Sequence, residues 1–201
     1  MDKKQYLYCY IMTHDTGFAP NPEHEVLTLA TCKPTIRRCA EPGTWISGWA
    51  GVKVYTTVDR KKYFDGNTQK LIYLARITKK ISIAEYWNQN TEKQPKLIDG
   101  KYDQGDNIYE LLDNGLWQQH ENGGGHDKNN EAHDLSGKNV LICDEFYYFG
   151  VENALAIDIK ELDSNFVVPR CKKLLLESEI AQSIIQQVKN NHDKCKKCKC
   201  R

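Results

Sequence analysis

The densest chemistry in the chain lies near its start. Cys32 is followed directly by Lys33, with Arg37 and Arg38 shortly after. A thiol beside an ammonium, at the opening of a helical turn, is the setting that turns a cysteine into a thiolate nucleophile. The three cations suit a phosphate or carboxylate, above all near unpaired N–H groups at a helix start. Just upstream, Asp15-Thr16-Gly17-Phe18-Ala19-Pro20-Asn21-Pro22 places a carboxylate, an aromatic ring and an amide in one loop. From residue types alone, Cys32 and Asp15 are candidates for covalent and acid–base work, and Lys33 and Arg37 for holding an anion. A cysteine buried in a core turn beside surface arginines is the competing reading.

A second set of residues suits a heterocycle. Trp45, Trp49, Phe18 and Tyr109 are candidate walls for stacking, and Asn21, Asp106, Asn107 and Gln118 are candidate edge readers. Core packing competes for each aromatic, and Gly105-Asp106-Asn107 also reads as a turn. His120, His126 and His133 occur with Asp127 and Asp134 in a spacing that fits no standard metal site, so no metal ligand is assigned there. That segment reads as a solvated loop. If it folds over a pocket, His133-Asp134 offers an acid–base pair, which puts Asp134 in the catalytic set. Near the C-terminus His192, Cys195, Cys198 and Cys200 are four soft ligands without a second knuckle. A basic tail is the expectation, and a zinc site the alternative.

Several strings together resemble a known family. D-x-G-F-A-P-N-P, T-L-A-T-C-K-P-x-I-R, G-x-W-I-x-G, G-D-N-I-Y and V-L-I-x-x-x-F-x-Y-F-G, spread from Tyr8 to Gly150, look like the nucleotide modification associated domain of the second type. The resemblance implies a nucleotide or nucleic-acid context and, more finely, DNA base hypermodification. On its motif positions fall Asp15, Gly17, Phe18, Asn21, Cys32, Lys33, Arg37, Trp45, Gly48, Asp106, Asn107, Tyr109, Gln118 and Asp134. The chain departs from the pattern at Thr44, where an acidic residue is expected. The cadence of Gly43–Trp49 and Leu71–Ile77 is similar to the paired strands of PUA-like barrels that read modified bases. Two functions follow as expectations. One is an enzyme acting on a nucleotide or DNA base. The other is a non-catalytic PUA-like reader of a modified base or free nucleotide, for example in phage defence. The expected partner is a nucleotide or base, with nucleic acid as an extension of it. No cofactor is specified.

These groups need a scaffold, and 201 residues suffice for one with a real core. Lys and Arg number 28 against 27 Asp and Glu, which excludes binding to nucleic acid by bulk charge alone. The charge is nonetheless segregated: net +6 over residues 1–98, −11 over 99–165 and +6 over 170–201. No run of 18 apolar residues occurs, so no membrane span is expected. With no apolar leader after Met1, the cytoplasm is the expected compartment, where eight cysteines favour thiols over disulfides.

The apolar pattern predicts strands at 6–12, 26–31, 45–50, 52–58, 71–78, 140–143 and 146–150. A helical turn is expected after Pro34, and a helix over 83–87 from the capping box Ser82-x-x-Glu85. Asp65-Gly66-Asn67 reads as a turn. The longest helix is expected over 179–191, with Ser178 as its cap. The fold class expected is α+β, with a curved mixed or antiparallel sheet or a small PUA-like β-barrel and a few flanking helices. Residues 1–176 are expected to form one domain with a flexible loop at 118–138, the 177–191 helix packed on it and 192–201 as a Lys/Cys-rich tail.

Overall fold

The structure is a computed structural model that describes residues 4–56, 60–61, 69–159, 162–166, 168 and 171–197. In chain order the first elements are β1 (Tyr6–His14), β2 (Leu27–Leu29), α1 (Pro34–Cys39), β3 (Trp45–Tyr55), β4 (Arg60–Lys61), β5 (Gln69–Arg76) and β6 (Lys79–Ser82). Then come α2 (Ile83–Gln89), β7 (Leu97–Ile98), β8 (Lys101–Tyr102), β9 (Tyr109–Leu111), β10 (Trp117–Gln119) and α3 (Lys128–Leu135). The last are β11 (Asn139–Cys143), β12 (Glu145–Tyr148), β13 (Leu155–Ile157), β14 (Lys172–Leu175) and α4 (Glu179–Lys197). The predicted turn at 65–67 lies outside the described residues, as do Cys198 and Cys200.

The chain divides into two compact units, each assembled from separate stretches of sequence. The first comprises 1–15, 43–76 and 146–201; the second comprises 16–42 and 77–145. The first holds 18 basic and 11 acidic residues, the second 10 and 16, so the units carry net +7 and −6.

The first unit is built on a sheet in the order β12-β5-β3-β1-β14, with β13 also on β5 and β4 on β3. β1 runs parallel to β3, while β3–β5, β13–β5 and β1–β14 are antiparallel. Among the described residues the order ends in edges, so the mixed open sheet is the expected form that is present, and no closed barrel forms. β1 and β3 read as near-continuous apolar runs because both are interior strands of this sheet. Gly48 lets them meet: a Cβ there would lie 2.2 Å from Met12 Sδ and 2.4 Å from the Tyr73 ring. α4 lays Ala181, Ile184, Ile185 and Val188 into a core with Leu7, Trp45, Trp49, Leu71 and Leu74. Those side chains sit at the helical spacing read from the sequence, and Ser178 Oγ accepts from the Ala181 amide at 3.4 Å. Burying each Ile or Val in such a stripe is worth about 1.5–3 kcal/mol.

The second unit has a three-stranded antiparallel sheet, β2-β11-β6, and the hairpins β9–β10 and β7–β8. α2 begins at Ser82 with the predicted capping box fully formed. Its core gathers Phe18, Ala30, Ile83, Tyr86, Ile108, Tyr109, Val140 and Ile142. The expected loop at 118–138 instead contains the end of β10 and all of α3. A second capping box, with Asp127 as cap and Asn130 as its partner, opens that helix.

Candidate functional site

The site grows from a backbone corner. β2 ends at Leu29, and α1 begins at Pro34, whose ring pre-sets φ for a first helical residue. Between them Cys32 (φ +54°) and Lys33 (φ +40°) both adopt the left-handed conformation. For residues with a Cβ this costs about 1–3 kcal/mol each and persists only where surroundings enforce it. The enforcement is visible. The Cys32 amide donates to Asp134 Oδ1 at 2.7 Å. The guanidinium of Arg37, fully buried, donates to the carbonyls of Ala30 and Asp134. Burial pushes the Arg37 pKa down to about 10, against the pull of the Asp134 carboxylate. Arg37 thus ties the end of β2 to α3, with both terminal nitrogens spent on backbone rather than offered to an anion.

Opposite the corner stands His126, 14% exposed. Its Nε2 lies 3.5 Å from Cys32 Sγ, and its Nδ1 lies 2.6 Å from Asp134 Oδ2. Asp134 is fully buried and also accepts from the Tyr109 hydroxyl at 3.0 Å. One carboxylate therefore orients the imidazole and fixes the strained corner that carries the thiol. The loop that presents His126 is bonded to itself. Asn122 Oδ1 accepts from the His126 amide at 3.2 Å, and the His126 carbonyl accepts from Asn122 Nδ2 and Gln119 Nε2. The Phe18 ring packs 4.9 Å from the imidazole, and Gly124 lies so close to Phe18 that a Cβ would fall 2.2 Å from the ring.

Electrostatics follows the geometry. Burial alone would lower the His126 pKa, but hydrogen bonds to Asp134 and Cys32 outweigh it and raise it to about 9. Burial would raise the Asp134 pKa, but the imidazole, the Cys32 amide and the Tyr109 hydroxyl hold it below the usual carboxylate range. Burial and the neighbouring Asp134 push the Tyr109 phenol well up, so it stays a donor. A thiol, an imidazole and a carboxylate in this order are the parts of nucleophilic catalysis with a shared proton.

The same three residues have donor atoms within 4.8 Å of one another, so they are also metal-binding candidates. The contacts run through opposite nitrogens of the ring, however: Asp134 on Nδ1, Cys32 on Nε2. An ion on Nε2 would have Cys32 as fellow ligand and Asp134 as the group that orients the ring. That is two protein ligands where zinc sites use three or four. The arrangement suits a proton relay better than a metal centre.

The other sequence-derived candidates fall in three places. Asn21, Asp106 and Asn107 are buried in the second unit around Lys93. The Lys93 ammonium donates to Asn21 Oδ1 at 2.7 Å and to the carbonyls of Asn21, Glu23 and Val26. Asp106 accepts from Thr28 and Tyr86 hydroxyls at 2.7 Å each, and burial pushes its pKa up to about 6. Asn107 donates to the Tyr86, Trp87 and Asn90 carbonyls, which fastens the end of α2. Gln118 is exposed on β10 and borders a cleft of about 700 Å³ that His126 also borders. Lys33 is half-buried in the corner. Asp15 and Trp45 belong to the first unit. There Asp15 accepts from the Tyr148 hydroxyl and, at 2.7 Å, from the Val151 amide. Trp45 is 5% exposed in that unit's core, with Lys189 Nζ 5.1 Å from its ring.

Phe18, Cys32, Tyr109 and Asp134 are thus brought together, and His126 completes them. The pairing of His126 with Cys32 and Asp134 is the element sequence reading missed. The local signal available was the Asp127/Asn130 cap, which starts a helix whose next turn carries Asp134.

The family model described as nucleotide modification associated domain 2 matches residues 4–197. No curated protein and no solved structure matches the chain.

Proposed function

The chain belongs to the nucleotide modification associated domain 2 family, so its work lies in nucleotide modification in general, and from that premise we propose that it is a thiol-dependent enzyme acting on a nucleotide or DNA base. Cys32 is the nucleophile, His126 its proton partner and Asp134 the group that orients the histidine. The observation that carries this is the His126 ring spanning Cys32 Sγ and Asp134 Oδ2. Sγ and Nε2 share one proton. With that proton on nitrogen, sulfur attacks an electrophilic carbon of the substrate and forms a carbon–sulfur bond. The ring then hands the proton to the leaving group or to the anion that develops. The strained corner supports the same reading, since left-handed residues with side chains collect where function over-determines the backbone. A reader of modified bases would need aromatic walls and amides but neither a strained cysteine nor an oriented imidazole.

The test is mass spectrometry of nucleosides from cells carrying the wild-type protein or Cys32→Ser. A modified nucleoside that depends on the protein should fall by at least about a hundredfold in the variant. Undiminished product in Cys32→Ser would remove the thiol from the mechanism.

A further inference from the structure

The cleft bordered by His126 has a chemistry of its own. It opens between the β9–β10 hairpin and the loop leading to α3, entirely within the second unit, and holds about 700 Å³. That lies within the range of small-molecule sites. Tyr102 and Trp117 supply aromatic surface, and Leu116, 64% exposed, supplies aliphatic surface. Planar heterocycles gain about 1–3 kcal/mol from stacking on such side chains without any sequence readout.

The charges around the cleft are as informative as the rings. Lys128 is the cleft's one lysine, and its ammonium is already paired with Glu131. His120 donates toward Glu110 at 2.9 Å and lies flat on Trp87. Glu121 and Asp127 add carboxylates, within a unit of net −6. A triphosphate or a duplex backbone needs several arginines, lysines or amide donors to offset its charge. This lining offers no such set among the described residues, and its field opposes polyanions.

We infer that the cleft receives a single nucleobase carried by a nucleoside or nucleoside monophosphate, stacked against Trp117, and disfavours triphosphates and duplex DNA. This rests on the thiol reading for what happens next, because His126, one member of the proposed reacting pair, borders the cleft.

The experiment is calorimetry on the full chain with deoxycytidine, thymidine, their mono- and triphosphates and a 20-base-pair duplex as probes. At least one nucleoside and its monophosphate should bind with similar affinity, its triphosphate about tenfold more weakly. Trp117→Ala should lower nucleoside affinity by about tenfold or more, whereas Trp117→Phe, which keeps a ring for stacking and packing, should retain most of it. Glu121→Gln, at an exposed position, should narrow the gap between monophosphate and triphosphate. Tighter binding of the triphosphate or the duplex overturns the inference. So does unchanged affinity in Trp117→Ala, or no binding of any nucleoside probe. None of these results touches the thiol, whose failure is read separately from nucleoside products in Cys32→Ser.

Discussion

Asp134 takes three hydrogen bonds on its carboxylate, from the Cys32 amide, the His126 ring and the Tyr109 hydroxyl. In Asp134→Asn an amide cannot balance an imidazolium, so the His126 pKa should fall from about 9 toward the ordinary imidazole value of about 6.5. Nucleoside product should drop by about three to four powers of ten, as when a buried carboxylate behind a catalytic histidine becomes an amide. A titration of the His126 nitrogens by NMR checks the first claim, and an unmoved midpoint would refute it. The same pair sets a pH window for stability. The His126 pKa is raised on folding, so its stabilisation is complete below about pH 6.5 and is lost as pH climbs through about 9. The Asp134 pKa is lowered, so its share is present above about pH 4 and fades in more acid solution. The thermal midpoint should therefore fall between pH 6.5 and 9 in the wild type, and fall less in Asp134→Asn.

One element, the loop between β10 and α3, decides whether the thiol has a partner. Gly124 presses on Phe18 with no room for a methyl group. Gly124→Ala must push the loop or the ring aside, and either shift moves His126 away from Cys32. The expected result is about a hundredfold loss of product, in keeping with small misplacements of catalytic groups. Circular dichroism should stay near wild type, and full product in this variant would show that the loop tolerates displacement. This loop also shows where sequence reading stopped. The thiol corner was legible because a lysine and then a proline directly follow the cysteine in the chain. The Ser82 cap was legible because its partner is three residues away. The Cys32–His126 contact bridges 94 residues, and the stretch around His126, poor in apolar residues and rich in Gly, Asn and Asp, carries a surface-loop signature. Lys93 was overlooked for a related reason. Its 1% exposure depends on oxygens from the loop at 21–26, and no local pattern announces a buried ammonium.

At the scale of the whole molecule, each unit has a core of its own. Ile184→Ala opens a cavity under α4 in the first unit, which should cost about 2–4 kcal/mol. Below the melting temperature the reaction of Cys32 with iodoacetamide should keep its wild-type rate, because the thiol, the imidazole and the carboxylate all lie in the second unit. A changed alkylation rate at unchanged secondary structure would mean that the cores are mechanically linked. The strand pattern of the first unit was legible in the sequence, as apolar runs in β1, β3 and β5. The division into units was not, because it depends on which distant segments pair, and β1 pairing with β14 leaves no trace in either strand taken alone.

That interleaving bears on how the protein is made. The ribosome releases β1 first, yet its antiparallel neighbour β14 emerges some 160 residues later. Cys32 likewise leaves the exit tunnel long before His126 and Asp134 exist to restrain it. Until translation has passed Leu135, the nascent polypeptide carries a sulfhydryl without its proton partner. Because oxidation of a cysteine follows its thiolate character, the sulfhydryl of this protein should become most oxidisable only after the completed fold has supplied that partner.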